Sequence, residues 1–149
     1  MRVESKLLSL VLLLNLVRYV AGYPLERLLI FEGLGTAMSE SRQFFHTGFT
    51  TFDWATSYFY NFVMWATCVW VFYLAQSQVK GALLVRSLKI FALMWLFFAS
   101  VSAIYMNHYA HPKAFYLWSI ADAALVFALV GATNGLLFPY FFPATPARE

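Results

Sequence analysis

The chain has 149 residues, of which 62% are hydrophobic, 20% aromatic and only 11% charged. Soluble domains carry about 25% charged residues, so this chain lacks the charge to cover a water-facing surface, and its excess apolar surface is expected to face lipid. Abundant Phe, Trp and Tyr exclude a disordered tail; the single cysteine, Cys68, excludes an internal disulfide or a cysteine-based zinc site; and scattered basic residues give no footprint for nucleic acid.

The expected fold class is all-α: a polytopic integral membrane protein, one four-transmembrane-helix bundle over residues 1–149 with a short interfacial helix in its first external loop. A helix crossing a hydrocarbon core about 30 Å thick needs about 20 mainly apolar residues. The first candidate, at about 7–23, is Leu-rich but carries Asn15 and Arg18. With Arg2 and Lys6 ahead of it and Val20-Ala21-Gly22 behind, it also fits a secretory signal peptide. A retained helix is preferred, because Arg18 would be unusual beside a cleavage site.

The external loop then covers 24–53. Its Leu25, Leu28 and Leu29 recur at i, i+3, i+4, as in an amphipathic helix lying at the interface, and Gly33 and Gly35 are expected to end that helix. A capped polar turn over 39–43 leads to Phe44, Phe45 and His46, which return to the membrane. The second span, 54–76, places Ser57, Asn61, Trp65 and Cys68 along one stripe, expected to face inward. A polar turn over 77–87 leads to the third span, 88–110, whose Lys89 can snorkel from its start.

A tight turn over 111–113 leads to the fourth span, 114–137, which contains Asp122. Pro139 removes a helix hydrogen bond and should end that helix nearby, leaving a short tail over 138–149. No internal repeat argues for an inverted-repeat transporter. The positive-inside rule sets Arg2, Lys6, Lys80, Arg86, Lys89 and Arg148 against Arg27, Arg42 and Lys113. Both termini are therefore expected in the cytoplasm, at a cell inner membrane or, in a eukaryote, an endomembrane.

Helix rise converts these positions into depth. Asn15 and Arg18 should lie about 12 and 8 Å below the outer interface, Asn61 about 10 Å and Asp122 about 12 Å. These four form the candidate ligand-binding belt, with Arg18 and Asp122 as the obvious ion pair. Charges at such depth face the bundle interior, find partners and mark functional sites by default. A neutralised pair that only fixes helix register is an equally weighted reading.

His46, His108 and His111 all fall on the outer side and are weak metal-ligand candidates; their spacing matches no zinc motif, and only His108 is on a span, so haem is weaker still. No cofactor is expected. Gly131 and Gly135 give the small-x-x-x-small spacing of close helix contacts. Ala99 and Ala103 are a natural partner for them within the chain, and another subunit or a second copy is the alternative.

Cys68, mid-helix and apolar, should be inert, and no phosphate loop or nucleophile motif appears. Three functions stay open: a non-enzymatic accessory or assembly subunit of a membrane complex, which is favoured; a small carrier or binder of an ion, proton or amphiphile through Arg18, Asn61 and Asp122; and an intramembrane enzyme on a lipid or hydrophobic metabolite, with Asp122 or His108 as acid or base.

Overall fold

The computed structural model describes residues 2–45, 48–109 and 112–143. Every regular element among them is helical. Helix α1 (Val3–Val17) passes through a widened π turn, Arg18–Gly22, into α2 (Tyr23–Leu29), so the first long helix does not stop near residue 23. Next come α3 (Phe31–Ser39), a short 3-10 turn at Arg42–Phe44, α4 (Thr51–Ala75), α5 (Leu83–His108) and α6 (Lys113–Phe141). Four of these stretches, Val3–Leu29, Thr51–Ala75, Leu83–His108 and Lys113–Phe141, are long and apolar enough to cross a membrane.

Local chemistry sets several boundaries. The Thr50 hydroxyl accepts from the Asp53 backbone N–H at 3.2 Å, and Asp53 Oδ2 accepts from the Thr50 N–H at 2.8 Å. This reciprocal cap starts α4 at Thr51, three residues ahead of the apolar run. Gly81, at φ +121°, makes the reversal between α4 and α5. Arg86 then donates to the Gly81 and Gln76 carbonyls and Lys89 to that of Lys80, so the basic residues of this turn tie it to the end of α4. Pro139 does not end α6 at once. The helix runs on to Phe141, because a proline so near the C-terminus removes one hydrogen bond and little helix follows to be displaced.

The glycines expected to break the chain at 33 and 35 lie inside α3. At Gly33 the reason is packing: an added Cβ would stand 2.1 Å from the Trp118 ring, so the bare backbone lets α3 lie against the start of α6. Gly33→Ala is expected to lose about 1–3 kcal/mol of this docking, read as faster tryptic cleavage after Arg42.

Around the bundle α1 touches both α4 and α6, and α5 lies along α6, whereas α4 and α5 approach each other much less closely. The core is apolar and aromatic. Trp65, fully buried, lies 5.0 Å from Phe127 and 6.4 Å from Phe91 between ring centres. At the end where α1 begins, Phe72, Tyr73, Phe138 and Phe142 cluster, with Lys6 Nζ 5.6 Å over the Phe142 ring.

Gly131 and Gly135 close the α5–α6 interface. A Cβ on Gly131 would meet Phe91 at 2.8 Å, and one on Gly135 would meet the Leu84 backbone at 2.7 Å. Their partners are thus Leu84, Ser87 and Phe91, not Ala99 and Ala103. The tight connection between His108 and Lys113 fixes the antiparallel register, which leaves Ala99 about two turns further along α5 from Phe91. Close approach also permits a buried polar chain, in which the Asn134 amide donates to Ser87 Oγ at 2.9 Å and Ser87 donates to the Gly131 carbonyl at 2.7 Å.

Candidate functional site

The charged centre of the bundle is built on the first long helix. Arg18 donates through Nη1 to Glu26 Oε2 at 2.8 Å and through Nη2 to Glu26 Oε1 at 2.5 Å, a two-pronged ion pair with side chains only 15% and 4% exposed. On an undistorted α-helix these two residues would sit about 80° apart. The π turn between them accommodates one extra residue and rotates Glu26 back onto the Arg18 face. Pro24 gives the cause: it has no N–H for the Val20 carbonyl, and its ring would collide with that carbonyl in a regular helix. Gly22 leaves room for the guanidinium, since a Cβ there would stand 3.3 Å from Nη1.

Asp122 on α6 faces this pair. Its carboxyl lies within electrostatic reach of both Glu26 and Arg18. The pairing expected from the sequence is therefore revised: Asp122 is the third charge of a cluster whose bonded partners are Arg18 and Glu26. Buried and without a hydrogen-bond partner are Arg18 Nε and Asp122 Oδ1 here, and Asn134 Oδ1 in the α5–α6 interface.

The other expected site residues divide. Asn61 joins Arg18 and Asp122 in lining a cleft of about 280 Å³, together with Ser119 and the apolar Met64, Phe98 and Phe127. Its Oδ1 accepts from Trp65 Nε1 at 2.8 Å, which fixes the amide at the cleft wall. Asn15 instead donates to the Val11 carbonyl of its own helix, and the cleft lining does not include it. His108, exposed at the end of α5, engages the Ile104 carbonyl through Nδ1 at 2.8 Å and does not line the cleft. His46 and His111 lie outside the described residues. Among the described residues no three His, Cys, Asp or Glu side chains gather into a metal-sized group.

Sequence reasoning missed Glu26, which it placed in an external loop, and Ser119. A second groove, about 300 Å³, lies between α4 and α5 where they splay apart. Its lining is apolar, with Thr67, Cys68, Met94, Phe97 and Val101, and it shares Met64, Phe98 and Phe127 with the polar cleft. Polar cleft and apolar groove thus lie side by side, with these three side chains lining both. A larger cavity, about 370 Å³, lies between α3 and the start of α6, but its acidic groups, Glu32 and Glu40, are exposed and it holds none of the unpartnered buried atoms.

No known family, curated protein or solved structure matches the chain.

Proposed function

We propose that the chain is a multi-pass membrane protein with both termini in the cytoplasm, and that it binds one amphiphile between α4 and α5 without transforming it. Membrane insertion is supported by the outward face of α1. Leu8, Leu12, Leu16 and Val20 are 52–67% exposed there at helical spacing, while Leu7, Leu10, Val11 and Leu14 are buried on the inward face. Both faces are apolar, as lipid on one side and a core on the other require. Asp122 lies nine residues into α6 and Asn61 ten into α4, about 14 and 15 Å from those helix starts. The head-group cleft is therefore well below the outer surface.

The observation that carries the binding reading is the adjacency of the two depressions, which share Met64, Phe98 and Phe127 as lining. Small-molecule sites are mostly apolar, with a few convergent polar groups that fix orientation. Here the polar groups sit at one end and an alkyl-sized groove at the other, which is the shape of an amphiphile. Cys68 and Thr67 leave the groove wall smooth, and the loose α4–α5 contact gives a side entrance from the lipid.

The test is a spin-labelled long-chain alcohol added to the protein in phosphatidylcholine nanodiscs. The reading expects a motionally restricted component that saturates near one probe per protein, and its loss in Val101→Trp, which fills the groove. A restricted component that never saturates, or that survives Val101→Trp unchanged, overturns it.

A further inference from the structure

This inference rests on the binding reading above and names the chemistry of the head group. In the Arg18–Glu26 pair each carboxylate oxygen accepts from one guanidinium nitrogen. Asp122 brings a second carboxylate to the same place, and its Oδ1 is buried without a partner. Neither nearby polar side chain bonds Asp122: the Ser119 hydroxyl proton goes to the Phe115 carbonyl at 2.8 Å, and Asn61 uses its Oδ1 to accept from Trp65. With all three groups ionised the cluster carries one uncompensated negative charge. A buried charge in so apolar a setting is stabilised by a partner that brings both opposite charge and hydrogen-bond donors.

We propose that the amphiphile held in this cleft is an alkylamine in its protonated form, its ammonium donating to Asp122 and its chain lying between α4 and α5. An ammonium has three donors and no acceptor, which suits a carboxylate on the cleft wall, and the methylenes next to it would run past Met64, Phe98 and Phe127 into the apolar groove. An anionic head group could accept from the Asn61 amide but would face two carboxylates. A neutral hydroxyl could donate to Asp122 but would leave the charge in place.

Spin-labelled alkylamine, alcohol and carboxylate of one chain length, added to the protein in phosphatidylcholine nanodiscs at neutral pH, test this directly. The amine is expected to be held about tenfold more tightly than the alcohol, and the carboxylate most weakly. Asp122→Asn should bring the amine down to the level of the alcohol, and Asp122→Glu, which keeps the charge, should retain the preference. Equal retention of amine and alcohol, as when a proton shared between Asp122 and Glu26 already neutralises the cluster, overturns the inference, and so does tightest binding of the carboxylate. In both cases the binding reading stands. If none of the three is held saturably, the binding reading itself fails. The comparison on the unsubstituted protein decides the matter even if Asp122→Asn does not accumulate.

Discussion

Arg18→Met is expected to lose about 3–5 kcal/mol of stability, because removing one partner of a buried ion pair leaves the other charge uncompensated. Here it leaves two, since Glu26 and Asp122 would face each other with no guanidinium to compensate them. Methionine keeps most of the side-chain volume, so the loss reports charge rather than a void. Adding Glu26→Gln should restore the larger part of it, and a double-substitution cycle measured by unfolding in mixed micelles gives the coupling directly. Arg18→Lys should restore little, because an ammonium cannot reproduce the two-pronged contact. Full stability of Arg18→Met would show that the pair does not anchor the first long helix.

Gly135→Ala is expected to lose about 1–3 kcal/mol by overpacking. The added Cβ would stand 2.7 Å from the Leu84 Cα and 3.1 Å from the Ser87 Cβ. The first of these is backbone, so α5 and α6 must separate rather than a side chain turn away. Separation would also stretch the Ser87–Gly131 and Asn134–Ser87 hydrogen bonds. Gly35→Ala is the control: nothing lies within 4 Å of its added Cβ, and alanine is the better helix former by about 1 kcal/mol. The same unfolding assay should therefore show a loss at one glycine and none at the other.

The four long helices are legible because about twenty mainly apolar residues leave few alternatives. Asp122, Arg18 and Asn61 were legible as a shared level because helix rise is constant. Glu26 was not. A straight helix of period 3.6 turns it away from Arg18, and the π turn that brings it back depends on Pro24 and on the packing of Gly22, which a depth calculation does not contain. Gly33 was read as a breaker for a similar reason: its role is to admit Trp118, from a helix some eighty residues away. The partners of Gly131 and Gly135 follow from hairpin register rather than from matching small residues on the neighbouring helix. Asn134, a fully buried amide inside an apolar run, is not legible from the sequence because its partner Ser87 lies 47 residues away, at a position whose polar neighbours read as a turn. The Thr50–Asp53 cap, by contrast, is a sequence signature that places the start of α4 where the hydropathy profile does not.

If α4 and α5 enclose a single amphiphile whose head reaches the Arg18–Glu26–Asp122 cluster, native mass spectrometry of the protein released from nanodiscs preloaded with a long-chain amine should show it. One amine adduct is expected on a lone chain, absent in Val101→Trp and weakened in Asp122→Asn. Companion protein chains at fixed stoichiometry with no adduct, or an adduct distribution identical in all three proteins, would contradict it and point to an assembly role instead.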